Sequence, residues 1–247
     1  MTPDTITQLT QMNQAFYARV AKEFSQTRNT AWPGWNILLS HINSHFNIYR
    51  PNNPITILDI GCGNGRFALF SQKVFTEISY IGIDSSQELL DIARKYFPQG
   101  NFLHQDILLD ELPQQKFDIV VLFGVLHHIP SQILREKTQH KAAQALKPHG
   151  LLIFTTWNFD KDEKLFAKKV SPETLGIEKN DLEENDYFLP WNLDEKAIRY
   201  CHVTTDREAQ LMIEKADLAC VADFHADGKV QNNHYFVCTP NITSSST

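Results

Sequence analysis

The stretch that decides the fold is PITILDIGCGNGRF, which spans Pro54–Phe67. A continuous apolar run ends at an acid, Asp59, and glycines follow at alternate positions, Gly61, Gly63 and Gly65. Such a run is typical of a strand that is buried on both faces of a sheet. Glycine lets the backbone turn tightly and lets a ligand approach without meeting a Cβ atom. The stretch therefore predicts a ligand-binding turn between a strand and a helix.

Outward from this turn, strand-like and helical patterns alternate along the chain. The predicted strands are residues 55–60, 79–84, 101–106, 117–123 and 150–157, and the helices between them are residues 65–74, 86–96 and 131–147. This alternation predicts an α/β fold with a doubly wound, mainly parallel sheet and right-handed crossovers. A helix at 205–216 precedes two final strands, 219–226 and 230–239. Asp227 and Gly228 between them favour a tight turn and antiparallel pairing.

The remaining segments divide the chain around this core. We expect one domain over residues 1–240, made of a helical N-terminal cap (1–50), a cofactor-binding core (51–157), an inserted lid after the fifth strand (158–203) and a C-terminal helix with the strand pair (204–240). The cap has helices at 5–27 and about 35–47, with Pro33 and Gly34 as the break between them. The insertion is charged and poorly periodic, and residues 241–247 read as a disordered tail.

Composition and charge narrow the class of protein. The net charge of −6 weighs against non-specific nucleic-acid binding. No secretory signal and no apolar run of membrane-spanning length is visible, so we expect a cytoplasmic protein without membrane contact. The four cysteines show no paired spacing and are interpreted as reduced thiols rather than as a zinc site or a disulfide framework.

Three kinds of nucleotide-like ligand suit a glycine-rich turn after a first strand. A P-loop needs Lys and Ser or Thr after the last glycine, but Arg66 and Phe67 stand there. A dinucleotide fingerprint needs glycines spaced G-x-G-x-x-G, and Arg66 occupies its third position. S-adenosylmethionine carries no phosphate and needs a close backbone wall, so the spacing favours this cofactor.

Acidic residues at successive strand ends support this cofactor. We expect Asp84 to accept hydrogen bonds from the ribose hydroxyls and Asp106 to accept one from the adenine amino group. Asp59 would hold the ammonium of the methionine part, directly or through water. The alternative is that each acid caps the helix that follows it, because Asp is a good N-cap residue.

These motifs resemble those of class I S-adenosylmethionine-dependent methyltransferases. LDIGCGNG is similar to their first motif, GIDSSQELLDIAR to the second and FDIVVLFGVLHHI to the fourth. The resemblance implies a Rossmann-like, seven-stranded, mainly parallel sheet with the last strand antiparallel. Together with the acids, it predicts these cofactor-binding residues: Tyr17, Arg28, Trp32, Asp59, Gly61, Cys62, Gly63, Gly65, Asp84, Ser85, Asp106, Ile107, Phe123 and Val125.

Two flanking segments carry a narrower resemblance. FYARVAKEFSQTRNTAWPGW and PWNLDEKAIRYCHV resemble parts of the tRNA methyltransferases that esterify 5-carboxymethyluridine at the wobble position. The resemblance implies tRNA as the methyl acceptor, and eukaryotic members of that family work with a small zinc-binding activator subunit. Two alternatives stay open: a methyltransferase acting on a small metabolite, and a non-catalytic cofactor-binding domain that regulates a partner.

Methyl transfer to a carboxylate requires orientation more than proton removal, because a carboxylate is already ionised at neutral pH. We expect Arg28 to hold the acceptor through its planar guanidinium, and His127 and His128 to lie at the mouth of the site. Further candidates on the acceptor side are Trp157, Trp191, Arg199, Tyr200 and His202. No metal is expected, since no third ligand has suitable spacing. Phosphate contacts to tRNA would come from Arg19, Lys22, Arg28, Arg66, Lys164, Lys168 and Lys169.

Overall fold

The computed structural model describes residues 1–49, 54–191 and 193–241, with the side chain of residue 195 left out. Its strands are Ile55–Ile60 (β1), Ile78–Asp84 (β2), Asn101–His104 (β3), Phe117–Leu122 (β4), Leu146–Trp157 (β5), Asp186–Trp191 (β6), Asp194–His202 (β7), Leu218–Ala226 (β8) and Asn233–Pro240 (β9). Its α-helices are Pro3–Thr27 (α1), Pro33–Tyr49 (α2), Arg66–Val74 (α3), Gln87–Tyr96 (α4), Gln132–Gln144 (α5), Glu163–Phe166 (α6) and Asp206–Lys215 (α7).

Seven strands form one sheet in the order β3-β2-β1-β4-β5-β9-β8. The first five strands in this order are parallel, and β9 runs antiparallel to both of its neighbours. The order reverses at β1, with β2 on one side and β4 on the other. The carboxyl ends of these strands therefore flank a topological switch point, where open α/β sheets bind their ligands. This confirms the Rossmann-like sheet in which the last strand of the chain, β9, is antiparallel.

Alternate side chains of the central strands feed two apolar cores, one on each face of the sheet. Ile57 of β1 packs with α2, α3 and α4, whereas its neighbour Leu58 packs with α5 and α7. Every residue of β4 is buried, as expected for a central strand covered by helices on both faces.

Specific residues at the N-termini determine where the helices α3, α4 and α7 begin. Gly65 precedes α3 in a left-handed conformation with φ +78°, Ser86 caps α4 by accepting from Leu89 N–H, and Thr205 forms a capping box with Glu208 at α7. Of the helices, α3 and α4 start directly after β1 and β2, so their N-termini point toward the switch point.

The helix α1 and the insertion pack against each other, which the sequence did not predict. The insertion contains a β-hairpin, β6–β7, whose Phe188 and Tyr200 pack on Leu9. Farther along α1, Phe16 packs against Trp191 with ring centroids 6.0 Å apart. The alternation of apolar and polar residues that marks a strand is weak in the sequence of this hairpin, because both of its faces are partly covered.

Several predicted boundaries need correction. The third strand ends at His104, so Asp106 lies in the turn beyond it. The fifth helix ends at Gln144, and residues 146–149 belong to β5. Pro33 and Gly34 do not merely break a helix but begin α2, since proline is favoured in the first turn. The strands β8 and β9 are joined by residues 227–232, so the connection is longer than the predicted tight turn over 227–229.

The predicted disordered tail lies outside the described residues except at its start. Asn241 donates from its backbone and from its side chain to Asp217, so residue 241 is held to the fold. The division into cap, core, lid and C-terminal segment stays a prediction. Within the described ranges, no helix is both long and apolar enough to cross a bilayer.

Candidate active site

A cavity of about 450 Å³ opens beyond the carboxyl ends of β1, β2, β4 and β5. Its floor is the glycine loop between β1 and α3, and α1 forms a wall across from it. The site therefore combines the core with the N-terminal cap, while the insertion contributes through β7.

The three glycines of the loop all have positive φ but meet different surroundings. A Cβ on Gly61 would lie 2.4 Å from the Cγ2 of Val125, and one on Gly65 would lie 3.0 Å from the Cβ of Ala93. A Cβ on Gly63 would meet no atom of the described residues within 4 Å. Gly63 thus borders open cavity, as a backbone wall for a ligand requires. Gly65 does not line the cavity, and its contact with the cofactor stays a prediction.

Asp84, at the end of β2, shapes the same loop. One of its carboxylate oxygens accepts from Gly63 N–H and the other from Ser86 N–H, each at 2.8 Å. Burial raises the pKa of Asp84, although these two hydrogen bonds act in the opposite direction and lower it. The capping alternative is wrong here, because Ser86 caps α4 and leaves Asp84 facing the cavity.

Asp59 is a buried carboxylate directly below the glycine loop. It is 2% exposed and accepts a hydrogen bond from the Tyr80 hydroxyl. Among the described side chains, no cation lies within ion-pair distance of it. Burial raises the pKa of Asp59 to about 7, and the Tyr80 hydrogen bond limits the rise. The cavity therefore offers an unpaired acidic group where a ligand cation would gain most.

Asp106 lies in the turn after β3 instead of at the strand end. It accepts from Leu108 N–H at 2.9 Å, and Gln14 of α1 donates to its other oxygen at 3.2 Å. Asp106 therefore closes a local turn, caps no α-helix and faces the cavity together with Gln14. Gln14 was missed in the sequence, where it is one polar residue on a mostly polar helix face.

His128 joins three elements at the acceptor side of the cavity. Its Nδ1 lies 3.1 Å from the carbonyl of Tyr200, and its Nε2 lies 2.7 Å from the Tyr17 hydroxyl. Since a carbonyl can only accept, Nδ1 carries the proton and Nε2 accepts from Tyr17. Burial lowers the pKa of His128 to about 3, with Arg199 adding to the effect, so the ring is neutral at neutral pH. Asn13 extends this network by donating to the His128 carbonyl and accepting from Tyr200 N–H.

His127 has a different environment. It is 6% exposed, its ring centroid lies 5.1 Å from that of Trp157, and its Nδ1 has no partner within the described structure. Burial and the neighbouring His128 hold its pKa well below the usual range. His127 thus lines the cavity with a neutral ring, and its buried Nδ1 has no hydrogen-bond partner in the described structure.

Arg199 is a buried cation that lacks an acidic partner. It is 6% exposed and lines the cavity, and its guanidinium carbon lies 5.1 Å from the ring centroids of both Phe16 and Trp157. No carboxylate among the side chains that the structure describes lies within ion-pair distance of it, and its Nε is buried without a partner. Cation–π contacts offset only part of the cost of burying this charge. The site is therefore built to receive an anion.

Two more arginines border the cavity. Arg28 lies over the rings of Phe24 and Trp191, at 4.8 and 4.9 Å, and its carbonyl accepts from Asn64 of the glycine loop. Burial and the nearby Arg199 lower the pKa of Arg28. Arg66 at the start of α3 donates to the Thr30 carbonyl at 3.4 Å, and burial lowers its pKa to about 10.

The cavity brings together most of the predicted residues. Those that line it are Tyr17, Arg28, Trp32, Asp59, Gly61, Cys62, Gly63, Asp84, Ser85, Asp106, Ile107, Phe123, Val125, His127, His128, Trp157 and Arg199. Unpredicted lining residues include Asn13, Gln14, Asn64, Asp227 and Asn233. Of these, Asn64 had a sequence signal, because it stands inside the glycine loop.

Three residues that were expected on the acceptor side do not line the cavity, and their contact with the acceptor stays a prediction. Trp191 does not line the cavity but lies beneath Arg28 and Arg199. The Tyr200 hydroxyl donates to Asp186 at 2.7 Å, and His202 Nδ1 lies 2.7 Å from the same carboxylate. Tyr200 and His202 are therefore turned away from the cavity and hold the hairpin β6–β7 together.

His202, Asp186 and Glu183 are also close enough to one another to hold a metal ion. However, these side chains already have partners in the protein. Arg135 lies 2.9 Å from Glu183, and Asp186 accepts hydrogen bonds from the Glu183 N–H and the Tyr200 hydroxyl. A cation in this cluster would be repelled by the buried Arg135. We therefore interpret the cluster as an ion-pair network.

Comparisons with known proteins decide the family. Residues 23–223 match the family described as a methyltransferase domain. This chain belongs to that family. A protein of Encephalitozoon cuniculi named as a methyltransferase is 30% identical over 190 residues, covering 76% of this chain and 78% of that protein. The chain is thus an S-adenosylmethionine-dependent methyltransferase.

Other relatives carry a more specific name. The tRNA (carboxymethyluridine(34)-5-O)-methyltransferase of Saccharomyces cerevisiae is 29% identical over 177 residues, which cover 72% of this methyltransferase and 55% of the yeast protein. The Arabidopsis thaliana protein of the same name is 28% identical, with 63% of this chain and 35% of that protein covered. The chain therefore spans about half or less of the length of these relatives.

Solved structures agree with the fold. A methyltransferase from Methanosarcina mazei superposes with a TM-score of 0.62 at 17% identity, covering 78% of this chain and 96% of that one. The N-methyltransferase NodS from Bradyrhizobium japonicum, solved with S-adenosyl-L-homocysteine, gives a TM-score of 0.61 at 14% identity, with 93% and 98% covered.

The residues present fit the cofactor. The open space at Gly63 leaves room beside the backbone, and unpaired Asp59 offers a counter-charge to a cationic ligand. Asp84 retains free lone pairs on both oxygens, since each accepts one backbone hydrogen bond. A phosphate-bearing dinucleotide would place its negative charge near these two carboxylates, so the donor and acceptor pattern favours S-adenosylmethionine.

Proposed function

We propose that this methyltransferase esterifies the carboxylate of a 5-carboxymethyl wobble uridine in tRNA. The observation that carries the proposal is Arg199, a buried guanidinium in the cavity with no acidic partner among the described side chains. A carboxylate is the acceptor group that such a fork binds best. The names of the yeast and Arabidopsis relatives support a carboxymethyluridine as the bearer of that carboxylate.

Arg199 takes the role that the sequence gives to Arg28. It is the more buried of the two and lies between Phe16 and Trp157, on the side of His127. Arg28 is tied to the glycine loop through Asn64, so we assign it to the carboxylate of the cofactor. Two cations that repel each other are each stabilised when a separate carboxylate is bound.

The remaining cavity residues orient and desolvate the acceptor. S-adenosylmethionine, when bound, supplies a methyl group activated by positively charged sulfur. His128 fixes the Tyr17 hydroxyl, while His127 keeps Nδ1 free to bond the acceptor. Both rings are neutral at neutral pH, as suits an acceptor that needs no base. The aromatic side chains exclude water from the reacting oxygen.

The direct test is methyl transfer to tRNA that carries 5-carboxymethyluridine, followed by mass spectrometry of the nucleosides. We expect the methyl ester at the wobble position, with the small activator subunit of related enzymes added in a parallel reaction. A panel of small carboxylic acids forms the competing arm. Ester formation on a small acid, with none on tRNA in either reaction, would replace tRNA by a metabolite.

Replacement of Arg199 tests the carrying observation. Arg199→Lys keeps the charge but loses the fork, so we expect kcat/KM to fall by about 10- to 150-fold, as for a lost charged hydrogen-bond partner. Cofactor affinity, measured by calorimetry, should stay within about twofold. Arg207→Lys on the exposed face of α7 is the matched control. An unchanged kcat/KM in Arg199→Lys would remove the residue from acceptor binding.

Partners and location follow from the same proposal. A tRNA acceptor is consistent with the relatives' names, whereas a cytoplasmic location stays a prediction. An activator subunit is part of the test rather than of the proposal.

A further inference from the structure

Two cysteines face each other on β8 and β9, at one edge of the sheet. They lie toward the end of β9 that is farther from the active site. Cys220 on β8 is directly opposite Cys238 on the antiparallel strand β9. Directly opposed residues point to the same face of the sheet, with Cα atoms about 4.5–5.5 Å apart. A disulfide needs Cα atoms about 4.4–6.8 Å apart, a range that a regular pair of this kind meets. The strand pairing shifts register directly after Cys220, before Ala222.

The two sulfurs differ in exposure and in proton affinity. Cys220 is exposed, whereas Cys238 is fully buried. A hydrogen bond from the Cys238 thiol lowers the pKa of Cys220 to about 7 against burial and Asp223. When it is protonated, the Cys220 thiol donates to the Ala222 carbonyl at 3.3 Å. The same contact, with burial, raises the pKa of Cys238. At neutral pH about half of the exposed sulfur is therefore the nucleophilic thiolate, and the buried sulfur is its protonated neighbour.

A small cavity gives reagents access to the exposed sulfur. Cys220, Ala222 and Phe236 line it together with Asp206 and Gln210 of α7 and His234 of β9, and its volume is about 420 Å³. By contrast, burial raises the pKa of Cys62 well above its ordinary value and that of Cys201 to about 11. The edge pair is thus chemically distinct from the two cysteines near the active site.

We propose that Cys220 and Cys238 form a dithiol site that hydroperoxides oxidise to an intrachain disulfide. The site is separate from the methyl-transfer cavity, so it does not rest on the proposed acceptor. The reduced thiols expected from the sequence are then one of two states of this pair.

The chemistry needs hydrogen peroxide as the oxidant and balances in two steps. The Cys220 thiolate attacks a peroxide oxygen, an S–O bond forms as the O–O bond breaks, and the released hydroxide takes a proton to become water. Cys238 then attacks the sulfenic sulfur of Cys220; an S–S bond forms, the S–O bond breaks, and the Cys238 proton leaves with the hydroxide as water. Two thiols and one peroxide give one disulfide and two waters.

The test treats the folded, reduced protein with hydrogen peroxide and then analyses it by mass spectrometry without reductant. We expect the loss of two hydrogen atoms and a cross-linked peptide pair that contains residues 220 and 238, both reversed by dithiothreitol. Cys201→Ala, which leaves the edge pair intact, is the matched control and should still form the bond. In Cys238→Ser, Cys220 should stop at the sulfenic acid, which dimedone labels.

A second measurement asks whether the bond fits the native hairpin. Because the disulfide closes the chain segment between β8 and β9, the oxidised protein should have a Tm several degrees higher than the reduced one. Cofactor affinity should be the same in both states. The proposal is overturned if peroxide yields no 220–238 peptide, if Cys220 joins two chains instead, or if oxidation lowers the Tm.

Discussion

Charged side chains without a protein partner define the two ends of the active-site cavity. Asp59, at the glycine loop, has no cationic partner among the described side chains. Arg199, beside His127, has no acidic partner among them. Burial makes each of them costly unless a ligand supplies the opposite charge. The charges of these two side chains are therefore complementary to a cationic cofactor and an anionic acceptor.

Asp59 predicts a pH dependence of cofactor binding. Because its pKa is raised to about 7, the carboxylate form grows as the pH rises through 7, and only this form attracts the cofactor ammonium. We expect the affinity for S-adenosylmethionine to rise by about tenfold between pH 6 and pH 8, measured by calorimetry. In Asp59→Asn the dependence should flatten. A flat profile in the unmodified protein would place the ammonium elsewhere.

Asp84 predicts the strength of ribose binding. Asp84→Ala leaves buried donors of the ribose unpaired and releases Gly63 N–H, so we expect a loss of about 1–3 kcal/mol in cofactor affinity. Asp91→Ala, on the exposed face of α4, is the control. Binding of S-adenosylhomocysteine to both variants by calorimetry checks this, and equal affinities would refute the ribose assignment.

The sequence predicts the acids of the site better than their partners. Asp59 and Asp84 could be found because each ends a strand beside the glycine loop. Tyr80, which bonds Asp59, and Asn13, which links His128 to Tyr200, could not, since each contact joins residues that are distant in sequence. A local pattern reports which group faces a strand end, whereas a tertiary hydrogen bond depends on how two elements pack.

At the scale of elements, the core follows from periodicity and the insertion does not. The parallel strands are continuous apolar runs between glycine and aspartate signals, so their positions were predicted to within a few residues. The hairpin β6–β7 instead has apolar residues on both faces, since Phe188 and Tyr200 pack with α1, whereas Leu189 and Cys201 pack with Phe159. Its strand character comes from tertiary packing, which overrides a weak local signal.

The polar network that joins the hairpin to α5 and α7 is a feature of this insertion. His202 contacts Asp186 at 2.7 Å and Glu208 at 3.1 Å, and Arg135 contacts Glu183 and Glu208. Burial disfavours a charged His202, but the hydrogen bonds to the two carboxylates outweigh it and raise its pKa. Burial likewise opposes ionisation of Glu208, yet His202 and its other partners lower its pKa to about 2.

This network predicts a window of maximum stabilisation. The contribution of His202 is fully present below pH 6.5 and is lost as the pH rises through its raised pKa. The contribution of Glu208 is present above pH 4.5 and is lost as the pH falls toward 2. The difference in unfolding free energy between wild type and His202→Gln should therefore be largest between pH 4.5 and 6.5, measured by denaturant unfolding. A difference that grows steadily above pH 6.5 would contradict this assignment.

At the scale of the whole molecule, the net charge is negative, whereas several arginines border the active-site cavity. The chain has 23 Lys and Arg against 29 Asp and Glu. Under the proposed tRNA function, phosphate contacts are therefore expected to be concentrated on one face. Some of the expected cations already have protein contacts: Arg19 pairs with Asp194 at 2.5 Å, and Lys169 lies 3.9 Å from the ring centroid of Phe166.

The insertion offers one basic end close to the cavity. Residues 168 and 169 follow α6, which comes shortly after the carboxyl end of β5, the edge of the sheet on which the cavity opens. The acidic part of the insertion follows them. We infer that the basic end faces the anticodon stem and that the acidic part is turned away from it.

The last prediction tests this orientation by salt dependence. Each phosphate contact adds about one unit to the slope of log affinity against log salt. Lys168→Glu with Lys169→Glu should weaken binding of carboxymethyl-bearing tRNA and lower that slope by about two. Lys73→Glu with Lys116→Glu, on the opposite edge of the sheet, changes the net charge equally and is the control. Equal effects of the two double variants on binding in a filter or fluorescence assay would mean that net charge, and not an oriented interface, governs the encounter.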